Sequence, residues 1–304
     1  MIWNKEIEEL VKRKRYRQIN SILLWQDGTT IGEFYNNGYH SESRNVIRSV
    51  AKSIVSLGVG IALDKGLIGS VDDLVSKYLP EFKENRDYRH NMMTIRHLLT
   101  MSSGILWNGG IHYHCPMMNQ LKRSDNWISH IADCAVRDVP GTVQLYKEWD
   151  MILLTQVLSK ACGDAFDFIN DNLYKPLDIK SGRWYQSKCG TYYSVALDDE
   201  LEKTSNLTAM EMLHFGILAY NGGVWDGKQI VSKEYLLDAI TPSSLNKNYG
   251  YLWWVGDHWY GCRGYGGQSI TVVPEKKAIV VTQATPTSRG MDYSDVVFEM
   301  IDLL

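Results

Sequence analysis

At 304 residues and 44% hydrophobic content, the chain is long enough to bury one large core or two modest ones. Its 32 Lys and Arg against 35 Asp and Glu leave a net charge of -3. The one basic run, Lys12-Arg13-Lys14-Arg15, trails Ile7-Glu8-Glu9-Leu10-Val11 as the solvated end of a first helix, where cations suit the dipole, so nucleic acid is not an expected partner.

Met1-Ile2-Trp3-Asn4-Lys5-Glu6 puts charge where a secretory leader needs an apolar core, and no apolar run approaches membrane-spanning length. A cytoplasmic protein with no membrane partner is expected. Next come Asn20–Trp25 and Thr30–Tyr35, two apolar runs around Asp27-Gly28, which predict a β-hairpin. Ser49 to the Gly66 region reads as a helix, Val71–Leu79 as the start of a helical section, and Thr94–Met101 as a short helix stopped at Gly104. Residues 107–140, rich in His, Met and Asn with little apolar order, read as a loop-and-helix insertion over a cleft.

Met151, Ile152, Leu154, Val157 and Leu158 recur at helical spacing within 149–161, and 164–173 and 207–220 read as further helices. The last third changes character. Tyr249–Val255, Ser269–Val273 and Ala278–Thr282 are strand-like, and Met291–Leu304 is a closing helix. Strands at both ends with helices between predict an α+β fold, a mainly antiparallel sheet built from both termini and flanked by helices, with an inserted mostly helical subdomain. The expected units are a discontinuous sheet domain of residues 1–70 and 195–304 and a helical subdomain of residues 71–194.

Cysteines at 115, 134, 162, 189 and 262 are odd in number and lack a Cys-x-x-Cys pair, so reduced thiols are expected. The spacing of His112-Tyr113-His114-Cys115, with Pro116 following, suits a loop better than a zinc site. No metal or organic cofactor is required.

Chemistry enters with Ser49-Val50-Ala51-Lys52 at the head of an apolar helix. Positions three apart share a helix face, so the hydroxyl and the amine can meet. A serine attacks a carbonyl at neutral pH only when a neighbouring base takes its proton, and a lysine does so only after burial depresses its pKa. Alone, the tetrapeptide also suits an N-cap serine followed by a solvated lysine.

Further stretches follow in order: Gly66-Leu67-Ile68, Val71-Asp72-Asp73, Tyr78-Leu79-Pro80-Glu81, Thr94 to Gly104, Asn221 to Val231 and Tyr249 to Trp254. With these the chain resembles the serine beta-lactamase and penicillin-binding protein superfamily, nearest its class C and esterase branch, over most of its length. The resemblance implies a beta-lactamase/transpeptidase-like fold with Ser49 as nucleophile and Lys52 beside it. The superfamily's Tyr-x-Asn element is matched by Tyr146-Lys147-Glu148, which implies Tyr146 as the phenol that shares protons with Ser49 and Lys52.

Glu148 departs from the asparagine of that element. A carboxylate facing Lys52 would hold the lysine protonated and favour an electrostatic role over that of a free base. The alternative pairs Glu148 with Lys147 or another cation away from the chemistry. The third element, Lys-Thr-Gly or relaxed forms such as His-x-Gly, aligns with Cys262-Arg263-Gly264, and the backbone N–H of Tyr265 is then implied to join that of Ser49 as an oxyanion pair. The cation that would meet a beta-lactam carboxylate is missing, and strand alternation sets Arg263 opposite Cys262 and Gly264.

Glu148, Cys262, Arg263, Gly264 and Gln268, with Tyr113 from the insertion, complete the candidate substrate-binding set. Trp107, Tyr113, Trp149, Trp184, Trp253, Trp254 and Trp259 fall in segments that could rim a cleft, though most suit a core better. The expected function is a serine hydrolase cleaving a small ester or amide, peptide-like amides included, through an acyl-enzyme on Ser49. Beta-lactamase or D,D-peptidase activity, and a non-catalytic binding or scaffold protein on the same fold, are the alternatives.

Overall fold

The structure is a computed structural model that describes residues 4–83, 87–109, 115–195, 204–287 and 293–304. Its helices and strands run in the order α1 (Asn4–Val11), β1 (Ile19–Gln26), β2 (Thr29–Tyr35), β3 (Asn45–Val46), α2 (Val50–Asp64), α3 (Ile95–Leu99), α4 (Pro116–Arg123), α5 (Trp127–Ala132), α6 (Glu148–Cys162), α7 (Ala165–Ile169), β4 (Tyr185–Gln186), β5 (Tyr192–Tyr193), β6 (Asn206–Leu207), α8 (Ala209–Tyr220), β7 (Val224–Trp225), β8 (Lys228–Gln229), α9 (Lys233–Ala239), β9 (Trp254–Val255), β10 (Tyr260–Gly264), β11 (Gln268–Val273), β12 (Ala278–Ala284) and α10 (Ser294–Asp302).

Six strands form one antiparallel sheet in the order β2-β1-β12-β11-β10-β9. The N-terminal hairpin thus sits beside the C-terminal strands, as the strand-rich ends of the chain predict. At the hairpin turn Asp27 and Gly28 both have positive φ, 45° and 91°, the geometry that lets two strands reverse with their natural twist.

Period-two alternation divides the sheet's side chains between two layers. Leu23, Trp25, Ile270, Val272, Ile279 and Val281 pack on the side of α2 and α8. Ile22, Leu24, Val273 and Val280 pack with residues of α1 and α10 on the other. The larger apolar cluster continues from the sheet into α3, α4, α5 and α6.

Helix α2 lies at the centre, and every residue from Val50 to Ala62 is buried. It contacts β10 and β11 on one side and α6, α7 and α9 on others, which explains why its sequence is apolar all round. Gly60 lets the Tyr235 ring of α9 lie directly on the helix, since a Cβ there would collide with the ring.

Two segments differ from the sequence reading. Within 71–79 only Val75–Lys77 makes a helical turn, of 3-10 type, because Leu74 is extended and bridges Thr94 and the segment ends at Pro80. Of Tyr249–Val255 only Trp254–Val255 joins the sheet. Leu252, at φ 63°, donates its amide to the carbonyls of Leu99 and Gly250, so the chain turns there instead of extending.

Candidate active site

Ser49 precedes the first residue of α2 and makes no side-chain capping bond. Its hydroxyl instead accepts a hydrogen bond from Lys52 Nζ at 2.9 Å. The lysine is 1% exposed, so the reading of a capping serine with a solvated lysine does not describe this helix start.

The same amine donates to Glu148 Oε1 at 2.8 Å, and Tyr193 Oη donates to Glu148 Oε2 at 2.8 Å. Both carboxylate oxygens are therefore engaged inside the protein, and the carboxylate is turned toward Lys52. Lys147, adjacent to Glu148 in sequence, points elsewhere: its ammonium donates to Ser103 Oγ at 3.2 Å and to the Ile105 carbonyl at 3.3 Å, and lies 3.8 Å from Asp150 Oδ2.

Tyr146, immediately before this pair, has its ring 5.0 Å from Lys52 Nζ. Some ring surface stays open, yet the hydroxyl is enclosed, and burial raises the phenol's pKa above that of a free tyrosine. The charge of Lys52 pulls it down, the charge of Glu148 pushes it up, and hydrogen bonding with Ser49 and Lys52 lowers it; burial wins. The ring is packed between Tyr249 and Trp254, with centroids 6.1 Å from each. A hydroxyl, an amine and a phenol from two distant stretches thus meet at the start of α2.

The strand opposite them is β10. Gly264 abuts the Ile47 carbonyl and Arg48, so the end of β10 lies against the turn that leads into Ser49, and the Tyr265 amide follows directly. The Tyr265 hydroxyl reaches away to the Thr287 carbonyl at 3.1 Å. Arg48 adopts φ 51°, a left-handed conformation uncommon for such a residue.

The remaining candidates scatter. Cys262 is buried against α2, where desolvation pushes its thiol up to about 12 despite a hydrogen bond with Ser53 and the nearby charge of Arg263. Arg263 points to the opposite face, bonding Thr271 Oγ1 at 2.8 Å and lying over the Trp259 ring at 4.6 Å, as alternation requires. Gln268 is 1% exposed and uses its amide on both backbone groups of Ala284, which ties β11 to β12. Tyr113, with His112 and His114, lies outside the described residues.

Trp107, Trp149, Trp184 and Trp253 are core residues, the first two packed edge to face at 4.8 Å. Among the described residues, no group of three or more His, Cys, Asp or Glu could hold a metal ion, and no helix is long and apolar enough to cross a membrane. Tyr193 and Tyr249 were not found from the sequence. Tyr193 comes from a short segment marked only by an aromatic pair, and the Tyr249–Trp254 stretch, though part of the family resemblance, reads in sequence as a strand without a site role for Tyr249.

Residues 5–295 match the Beta-lactamase family, and the chain belongs to it. It is 19% identical over 312 residues to the 6-aminohexanoate-dimer hydrolase of Paenarthrobacter ureafaciens, covering 90% of this chain and 74% of the relative. Its fold is similar to that of a penicillin-binding protein from Bacillus halodurans, with a TM-score of 0.72, 18% identity and 99% of each chain covered. It is also similar to EstCE1, a hydrolase with promiscuous acyltransferase activity, with a TM-score of 0.73, 16% identity, and 98% of this chain and 96% of that one covered.

Proposed function

We propose that the protein is a serine hydrolase that cleaves a small ester or amide, peptide-like amides included, by acyl transfer through Ser49. The family and its hydrolase relatives support a serine hydrolase in general. The observation that carries the finer reading is the 2.9 Å contact between Ser49 Oγ and a fully buried Lys52, with the Tyr146 phenol beside both.

In this reading Ser49 Oγ bonds to the substrate carbonyl carbon while Lys52 and Tyr146 carry its proton toward the leaving group. The carbonyl oxygen, now negative, is received in this reading by the backbone N–H groups of Ser49 and Tyr265; the close approach of Gly264 to the Ile47 carbonyl supports the pairing. Collapse expels the alcohol or amine, and water then releases the acyl group. The half-buried Trp254 ring stacked beside Tyr146 favours substrates with an apolar portion.

Beta-lactam turnover is disfavoured in this reading because the position aligned with the superfamily's cation is Cys262, a buried thiol. The cheapest test is labelling with a fluorophosphonate probe followed by peptide mapping. An adduct on Ser49, absent in Ser49→Ala together with loss of p-nitrophenyl butyrate hydrolysis, is expected. Wild-type protein that takes no label, or a Ser49→Ala variant with full turnover, would refute the proposal and favour a binding protein on the same fold.

A further inference from the structure

Among the described residues, no free base lies next to Ser49. A lysine paired at 2.8 Å with a carboxylate is held as an ammonium, which has three donors and no acceptor, so Lys52 cannot take the Ser49 proton as it stands. The Tyr146 phenol is kept protonated by burial. Among the described residues close to this cluster, the group that can accept a proton is the Glu148 carboxylate on the far side of the lysine.

Resting on the serine-hydrolase reading, we infer that Glu148 is the proton acceptor of the acylation step, drawing the Ser49 proton through Lys52. As Ser49 Oγ bonds to the carbonyl carbon and the carbonyl π pair moves to oxygen, one Lys52 proton passes along the 2.8 Å contact to Glu148 Oε1. The amine turns the lone pair so freed toward Ser49 Oγ, 2.9 Å away, and takes the Ser49 proton in its place. Lysine ends the step cationic as it began, the carboxylate becomes neutral, and the one negative charge is transferred to the tetrahedral oxyanion, so charge balances. When the intermediate collapses, Lys52 and Tyr146 hand a proton to the leaving group and Glu148 returns its own to Lys52. The hydroxyl of Tyr193 holds Oε2 at 2.8 Å in both states, which leaves Oε1 aimed at the amine.

The groups that face this carboxylate come from every side. Lys52 lies on α2, Tyr193 on β5, Tyr146 on the preceding loop and Tyr249 on the turn before β9, with the neutral Cys262 thiol of β10 next to Tyr249. Lys147 and Asp150, on the same stretch, pair with each other and with Ser103. Glu148 acts through Lys52 and is a positioning residue with respect to substrate, so the test must read protonation.

The test is the pH profile of the fluorophosphonate labelling rate, read alongside the thermal melting of each protein, for wild type, Glu148→Gln and Tyr193→Phe. Glu148→Gln keeps the shape and removes the acceptor, and its rate is expected to fall by about 100-fold or more at every pH. A variant labelled as fast as wild type, or one that keeps the full plateau with its acid limb moved to lower pH, would show that Glu148 merely held the lysine charged and would overturn the inference. Tyr193→Phe covers a Glu148→Gln protein that does not fold. With the donor that holds Oε2 gone, Oε1 is no longer fixed toward the amine, so the labelling rate is expected to fall at every pH, and an unchanged rate in a folded Tyr193→Phe protein overturns the inference. Wild-type protein that takes no label defeats the hydrolase reading itself, and the proton route falls with it.

Discussion

Gly264 of β10 lies against the carbonyl oxygen of Ile47, two residues before the nucleophile, closer than any side chain at that position would permit. A Cβ there would also stand 3.0 Å from Gln268 Cβ and 3.2 Å from Arg48 Cβ. Its φ is not in the left-handed region, so space and not backbone strain is what a larger residue lacks. Gly264→Ala must push β10 away from the start of α2, at a cost of about 1–3 kcal/mol for overpacking. Because the Tyr265 amide moves with it, labelling of Ser49 is expected to slow by about 100-fold, more than the stability loss would explain. Urea unfolding and the labelling rate, measured on one preparation, separate the two effects. Equal activity in a destabilised variant would show that the strand edge does not serve the chemistry.

Tyr146 separates leaving groups. Its phenol is protonated at neutral pH because burial raises its pKa, so in the proposed reaction it serves as a donor to the departing group. p-Nitrophenolate leaves without a proton, whereas an amine or an alkoxide does not. Tyr146→Phe is therefore expected to lower kcat/KM at least about 10-fold more for an amide or alkyl ester than for the p-nitrophenyl ester of the same acid. An equal loss on both would assign the residue to packing between Tyr249 and Trp254.

The reach of the sequence can be judged from particular residues. The hairpin at Asp27-Gly28 and the helix α6 were legible because local pattern and tertiary burial agree there. The direction of Arg263 was legible from strand alternation alone, and the structure puts it on the face opposite Cys262. The two options for Glu148 could not be decided in sequence. Neighbours 147 and 148 cannot face each other at the head of a helix, but which long-range cation wins depends on how α6 packs on α2. Tyr193 had no local cue at all, since it reaches Glu148 from a two-residue strand 45 positions later. The turn at Tyr249–Trp253 was misread as a strand because its aromatic composition suits one, while Leu252 takes a conformation that propensity does not favour.

Lys147 and Asp150 should be the most sensitive ion pair for stability. They are 1% and 0% exposed, 3.8 Å apart, and joined through Ser103. Burial raises the pKa of Asp150, while the charge of Lys147 and hydrogen bonds from the Ser103 hydroxyl and amide lower it without cancelling the rise. Lys147→Met leaves a buried carboxylate without its cation, a change expected to cost about 3–5 kcal/mol near pH 7. Its sign with pH follows from linkage. A carboxyl with a folded pKa above its unfolded value favours folding below the unfolded value and opposes it as pH rises, so the deficit of Lys147→Met should shrink at pH 5. Urea titrations at the two pH values check this, and a deficit that grows on acidification would contradict the assignment. The Lys147→Met, Asp150→Asn double variant should be more stable than Lys147→Met alone at pH 7.

Alkali should unfold the protein cooperatively through its buried phenols. Burial raises the pKa of Tyr146, Tyr235, Tyr249 and Tyr260 above that of a free tyrosine, and it pushes the Cys262 thiol up to about 12. Tyr16 and Tyr35 are likewise raised to about 12 by burial, with Asp295 and Glu33 respectively adding to the effect. In the unfolded chain these phenols lose their protons near pH ~10, where the native ones still hold them. The native state then binds more protons than the unfolded state, so stability is intact below about pH 10 and falls as pH rises through the folded values, at about 1.4 kcal/mol per pH unit for each such group. The urea midpoint should accordingly be level up to about pH 9.5 and fall steeply beyond it. Phenolate absorbance near 295 nm from the buried set should appear only together with loss of the near-ultraviolet circular dichroism. If all the tyrosines titrated near pH 10 with tertiary signals intact, the phenols would be reaching solvent in the native state, and with them the argument that Tyr146 is a proton donor at neutral pH would fail.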